Sequence, residues 1–315
     1  MDTPSSSNSK ALADSGEERN WLDLPRDVAS TIFLKLGAIE ILTTVQRVCS
    51  VWRNITKDPT MWRTIDMHNL GDSRYNLDTI CRRAIDYSSG HLLDINIEYF
   101  GTDDLLDYIT DSTSHLRRLR LACCYSISDE GLSEIAKKFP QLEELDISIS
   151  SLSKEPLEVI GRSCPRLKTL KFNMEGYRRP HIESDEEAFA VAETMPELRH
   201  LQLFGNKLTN DGLLAILDGC PHLETLDLRQ CFNVNLAGSL GKRCAEQIKD
   251  LRLPNDPADD YPFEAEIDYG SLDEDYPSGF SDIAFLSDDD YDYYGFSGGS
   301  ELSDYDYDYD EYYAF

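Results

Sequence analysis

The chain has 315 residues, with 59 Asp and Glu set against 30 Lys and Arg, for a net charge of −29. That length accommodates one large domain plus a small one, and the acidic balance argues against nucleic acid as a direct ligand, because phosphate contacts need a basic face. No apolar run approaches the roughly 20 residues that span a bilayer, and the start MDTPSSSNSKALADSGEE has neither the basic beginning nor the apolar centre of a secretory signal.

These features predict an intracellular protein of the cytoplasm, the nucleus or both, with no membrane partner. Its eight cysteines are then reduced thiols, and no C-x-x-C pair or Cys/His cluster has zinc-site spacing. Residues 1–20 are small and polar and are expected to be disordered.

Residues 21–62 read as short helices with a surplus of apolar side chains. Pro25 suits a first helical position, where its missing N–H costs nothing, and Asp27 suits the positive end of the helix dipole. Val28, Ile32 and Leu36 recur at helical spacing with Phe33 beside them, and Gly37 follows as a stop. Ile41, Val45, Val48, Trp52 and Ile55 continue that spacing until Asp58 and Pro59 break it. About 40 residues of helix bury only a small core, so this many large apolar groups implies an outside surface to cover.

The order Leu24-Pro25-x-Asp27, then Ile32 and Leu36, then Val48-Cys49-x-x-Trp52-Arg53, then Trp62, resembles the F-box, over residues 21–67. Asp27 stands where Glu is commoner and Ser50 where a basic residue is frequent, but neither departure removes an apolar anchor. The resemblance implies docking on a Skp-family adaptor and, through it, on the cullin and RING subunits of a ubiquitin ligase. Leu24, Pro25, Val28, Ile32, Phe33, Leu36, Val48 and Trp52 would form or support the adaptor-facing surface.

Beyond this module, NLDTICRRAIDYSSG and DDLLDYITDS have the apolar spacing of helices. From residue 91 to 253 one pattern recurs: Leu92-x-x-Ile95-x-Ile97, and the same frame from Leu116, Leu142, Leu167, Leu198, Leu223 and Ile248. The starts are 24, 26, 25, 31, 25 and 25 residues apart. Cys124, Asn206 and Cys231 each stand three residues past a strand core, while Ser150 and Glu175 depart from that slot. Ser128 and Thr209 are candidate N-caps of the helices that follow.

Period and pattern resemble leucine-rich repeats, which stack a strand and a helix per unit. The expected fold is α/β: an all-helical F-box over 21–67, then a solenoid of about seven repeats over 68–254, with a curved parallel sheet and outer helices. Together the two modules resemble the plant-type F-box/leucine-rich-repeat proteins that act as substrate receptors. About six extra residues lengthen the fourth unit within 176–185, and such insertions emerge as loops. This one is either a recognition loop or a length variant.

Side chains alternate in direction along a strand, so Arg118, Arg120, Lys171, His200, Gln202, Phe204 and Arg229 are expected on the concave sheet face as target-binding residues. Phe204 is the expected aromatic anchor, at the centre of that array. His91, His115 and His222 share a slot before a repeat's first Leu, no Ser or Cys has a catalytic spacing to a His, and no Gly-rich phosphate loop appears. No catalytic residue, metal or cofactor is expected.

From residue 254 onward there are 20 Asp and Glu and no Lys, Arg or His, so this stretch carries −20 of the −29. Residues 255–315 are expected to be a disordered acidic tail, though its eleven tyrosines would also suit folding back on basic positions of the solenoid. The function expected is recognition of a protein substrate within a Skp–cullin–F-box ubiquitin ligase. The alternatives are a non-degradative repeat scaffold and a repeat-type inhibitor of a protein partner.

Overall fold

The computed structural model describes residues 21–68, 75–174 and 182–263. The expectations for residues 1–20, for most of the inserted loop and for 264–315 lie outside the described residues.

A 3-10 turn at Trp21–Asp23 leads into α1 (Arg26–Leu34). Pro25 caps this helix with φ −56° and ψ 145°, one position before the expected one, and there too its missing N–H removes no helical bond. Gly37, at φ 84°, turns the chain through a region that costs other residues dearly and opens α2 (Ala38–Glu40). A wide turn at Ile41–Val45 continues into α3 (Gln46–Val48).

The helical spacing then breaks at a position that the apolar pattern does not mark. Cys49 is extended (φ −159°, ψ 170°) and caps α4 (Ser50–Ile55), its Sγ accepting from the Trp52 N–H at 3.4 Å. Asp58 caps a last turn, Pro59–Trp62, and an Arg26 guanidinium 3.0 Å away ties that end of the module to its start.

The solenoid strands are β1 (Thr64–Met67), β2 (Asp94–Glu98), β3 (Arg118–Ala122), β4 (Glu144–Ser148), β5 (Thr169–Asn173), β6 (His200–Gln202), β7 (Thr225–Asp227) and β8 (Asp250–Arg252). Between them run α5 (Leu77–Ser88), α6 (Asp103–Ser112), α7 (Asp129–Lys138), α8 (Glu155–Ser163), α9 (Glu186–Thr194), α10 (Asn210–Gly219) and α11 (Ser239–Gln247). The eight strands form one parallel sheet in chain order.

Its register follows the repeat frame. Ile65, Ile95, Leu119, Leu145, Leu170, Leu201, Leu226 and Leu251 are direct partners from strand to strand. Ile97, Leu121, Ile147, Phe172, Leu203 and Leu228 follow two residues on and are buried in the same core. Strand β1 adds a unit to the seven expected, and it grows directly out of the helical module. Trp62 is buried, its Nε1 donates to the Thr56 carbonyl at 2.7 Å, and its ring lies 5.7 Å from that of Tyr87 on α5.

Just past the strand core, Tyr99, Cys123, Ile149 and Gln230 adopt left-handed φ of 73°, 53°, 56° and 61° at one repeat slot, which Gly205 shares. Such a conformation costs a non-glycine residue about 1–2 kcal/mol. In each case the N–H gains a carbonyl of the next unit, at 2.9 Å. The last of these rungs runs from Gln230 to Pro254, fixing the chain immediately after β8.

The polar slot after the strands behaves as the repeat pattern implies. Cys124 Sγ donates to the Ala122 and Ile97 carbonyls at 3.3 and 3.5 Å, Cys231 Sγ to the Leu203 carbonyl at 2.8 Å, and Asn206 accepts from the Leu208 N–H at 2.9 Å. All eight cysteines are free thiols, and burial pushes Cys164 and Cys220 up to about 11. They pack as small apolar groups.

A second ladder, absent from the sequence reading, joins the helix starts. Ser128 caps α7 and is itself held by Asp103 of the preceding unit, through its N–H at 2.9 Å and its Oγ at 2.6 Å. Asp129 holds Ser153 in the same way, at 2.9 and 2.7 Å, and Asp185 holds Thr209, at 2.7 Å for both bonds. Gly131 explains its own presence: a Cβ there would lie 2.1 Å from Asp103 Oδ1.

Candidate functional site

The described residues include twelve large hydrophobic side chains that remain exposed, and six of them fall in the helical module: Trp21, Val28, Leu34, Leu36, Val48 and Val51. The module holds only 48 of the 230 described residues, so exposed apolar area is concentrated there, as at a partner surface.

Of the residues expected to meet the adaptor, Pro25, Val28, Leu36 and Val48 are exposed, Val48 by 56%, while Leu24, Ile32 and Trp52 are half-buried. Phe33 falls on the supporting side of that expectation. It is 3% exposed, because the phase of α1 turns it inward with Ala29, and its ring packs 4.9 Å from that of Trp52. Phe33 supports the surface from beneath.

Leu34 and Val51, each 50% exposed, were missed. Cys49 resets the helical phase between Val48 and Trp52, so counting across it hides Val51. For Leu34 the available signal was its place beside the inward pair Ala29 and Phe33.

On the sheet, the face away from the repeat leucines carries charge paired across strands. Arg118 Nε meets Asp94 at 2.7 Å, Arg120 lies between Glu98 and Asp146 at 3.9 and 3.6 Å, and Lys171 Nζ reaches Asp146 at 3.1 Å. His200 Nδ1 sits 3.1 Å from Thr225 Oγ1, and Gln202 Nε2 donates to Asp227 at 3.1 Å. The five expected residues Arg118, Arg120, Lys171, His200 and Gln202 therefore share one half-exposed polar surface.

Phe204 and Arg229 do not lie open, and both expectations are corrected. Phe204 is 0% exposed and the Arg229 side chain 3%. The cause is the stretch after β8, whose first nine residues, 255–263, were expected to be disordered and are instead folded back on this face. Asp256 accepts from the Leu253 N–H at 2.7 Å, and the Tyr261 N–H donates to the Ala258 carbonyl at 2.9 Å, which turns residues 258–261 toward the sheet.

The Tyr261 ring then stacks on Phe204 with centroids 3.8 Å apart and planes 7° from parallel. Arg229, already fixed by Asp227 at 2.8 Å, donates to the Pro257 carbonyl at 3.1 Å and pairs with Asp260. Arg252 meets the same Asp260 carboxylate at 2.6 Å. Arg252 and Arg229 together hold that carboxyl down at about 2, while burial pushes the Tyr261 phenol up. Between this segment and β5–β8 a cleft of about 390 Å³ remains, lined among others by Lys171, His200, Gln202 and Arg252.

Residues 21–68 match the family model described as F-box-like, residues 95–189 the one described as "FBD-associated F-box protein At5g56370, LRR repeats", and residues 195–217 the Leucine Rich repeat model. The chain is 53% identical over 294 residues to "F-box protein SKIP19" of Arabidopsis thaliana, covering 92% of this chain and 94% of that one. It is 55% identical over 249 residues to "Putative F-box/LRR-repeat protein 23" of the same plant, covering 76% of this chain and 55% of the relative. To "Putative F-box/LRR-repeat protein 22", also from Arabidopsis thaliana, it is 47% identical, covering 87% of this chain and 90% of the relative. With its helical module matched by the F-box model and its parallel sheet by repeat models, the chain belongs to the family of F-box/leucine-rich-repeat proteins.

Proposed function

We propose that the chain is the substrate-recognition subunit of a Skp–cullin–F-box ubiquitin ligase. The F-box binds a Skp-family adaptor, the adaptor brings the cullin and RING subunits, and the open face of the sheet binds a protein target. The chain supplies placement, while ubiquitin transfer takes place on the other subunits. The observation that carries the adaptor half is the crowding of exposed apolar side chains into residues 21–68. The buried Trp62 and the pairing of β1 with β2 join that module to the sheet without a flexible linker, so a target on the sheet is held in a fixed frame relative to the adaptor.

The test is direct binding between the purified full chain and a purified Skp-family adaptor. Val48→Asp puts a charge where an apolar contact is expected, and affinity should fall at least roughly tenfold, the scale of one interface hot spot. Equal affinity of the two proteins would remove the adaptor half of this reading.

A further inference from the structure

Residues 257–263 sit on the sheet as a bound peptide would. After the Pro254 carbonyl takes its rung from Gln230, the segment is held by side chains: one carboxylate forked between two guanidiniums, one aromatic ring stacked on another, and a second ring beyond. That second ring, Phe263, lies 5.7 Å edge-on from Tyr261 and 5.8 Å from the Arg120 guanidinium carbon. The groups that receive these anchors come from four separate units, through Arg120, Phe204, Arg229 and Arg252. A surface assembled from distant parts of the chain thus reads an acid, a tyrosine and a further aromatic within four consecutive residues.

The same order of groups recurs in the sequence. Asp259-Asp260-Tyr261-Pro262 is matched by Glu274-Asp275-Tyr276-Pro277, with an aromatic following each, at Phe263 and Phe280. A stretch that served only to add charge would not need to repeat acid-Asp-Tyr-Pro in that order.

We propose that this face is a recognition site for acidic-aromatic peptides of the form acid-Asp-Tyr-Pro, that residues 259–263 occupy it in cis, and that a target segment of the same chemistry takes it by exchange. The proposal rests on the reading that the target is held on the open face of the sheet, and it adds the chemistry of the target. Exchange is feasible because the Asp260 carboxylate is 56% exposed and the segment adds no strand to the sheet. The adjoining cleft leaves room for a longer peptide. A tether this short holds its occupant at an effective concentration on the order of millimolar, so the intact chain resists a free competitor.

The experiment uses the full chain and a fluorescein-labelled peptide, Pro-Ala-Asp-Asp-Tyr-Pro-Phe, read by anisotropy at low salt. Asp260→Ala with Tyr261→Ala empties the site, and the peptide should bind that chain at least roughly tenfold tighter than the unaltered one. Because the second copy is also tethered, the measurement is repeated with Asp275→Ala and Tyr276→Ala added. In both altered chains, replacing the second Asp of the peptide with Asn or its Tyr with Ala should abolish binding.

Equally weak binding to intact and altered chains overturns the proposal, and so does binding that ignores the Tyr→Ala change in the peptide. The peptide arms need no further protein variant, and a melting curve of each altered chain, matching that of the unaltered one, separates an empty site from a misfolded one. Adaptor affinity is measured on the same proteins. If it is retained while the peptide fails, the peptide chemistry is wrong and the receptor reading stands; if it is lost in every chain, the receptor reading falls by itself.

Discussion

Tyr261 lies flat against Phe204, with centroids 3.8 Å apart and ring planes within 7°, and so joins the residues after the last strand to the centre of the sheet. An aromatic pair is worth about 0.5–1.5 kcal/mol beyond the area buried. It accounts for an aromatic at a position where the repeat pattern needs none. Phe204→Ala should therefore release residues 258–263 and leave the core in place. Amide exchange checks this: the Tyr261 N–H should lose protection while those of Leu201 and Leu226 keep theirs.

Asp260 gives the same contact a pH dependence. Its carboxyl ionises at about 2, below the ordinary 3.8, because Arg252 and Arg229 bind the charged form. A lowered pKa contributes docking that is present above the ordinary value and lost as pH falls through the docked one. Residues 258–263 should stay docked at neutral pH and detach between about pH 4 and pH 2. Detachment already at pH 6 would show that Asp260 is not the anchor.

In the solenoid, Leu201 is buried and in register with Leu170 and Leu226, whereas Gln202 points to the open face. Leu201→Ala should cost roughly 2–5 kcal/mol, and Gln202→Ala, which loses only one hydrogen bond, about 1 kcal/mol or less. Chemical denaturation followed by circular dichroism gives both numbers, and the reverse order would contradict the register.

The ladder between helix starts makes a coupled prediction. Asp103→Ala strips two bonds from the Ser128 cap and should cost about 1–2 kcal/mol. Gly131→Ala alone should destabilise, since its Cβ would meet Asp103 Oδ1 at 2.1 Å. In the Asp103→Ala background the obstruction is gone, and Gly131→Ala should become neutral or stabilising through helix propensity. Additive costs in a double-mutant cycle would mean that Asp103 does not set the identity of residue 131.

Much of this fold is legible in the sequence for a simple reason. A strand rung repeated with a fixed Leu-x-x-Leu-x-Leu frame leaves no freedom of register, and the middle leucines do become direct partners. The first rung is masked in the sequence although Trp62-x-x-Ile65-x-Met67 fits the same frame, because Trp62 also completes the F-box pattern and serves both modules. Cys49 was invisible as a helix break because a residue of that size suits either a helix or a cap. The docking of residues 255–263 could not be read locally at all. Composition describes how a segment behaves alone, while Asp260 and Tyr261 are fixed by Arg229, Arg252 and Phe204, side chains from other strands and turns.

Within the F-box, surface and support should separate by experiment. Leu34→Asp and Val51→Asp change exposed side chains and should weaken adaptor binding with little effect on melting, whereas Phe33→Ala empties a packed site and should cost about 3–5 kcal/mol. A fully stable Phe33→Ala variant would place that ring on the surface after all.

The central claim is that one chain joins an adaptor to a target so that the target is degraded. It is tested most directly by identifying proteins captured by the full chain in cells and following their half-lives against a chain carrying Leu36→Asp and Val48→Asp. The account predicts that the captured proteins still bind the altered chain through the sheet and persist longer, because the ligase is no longer recruited. Capture with unchanged half-lives would contradict it and would make the chain a scaffold.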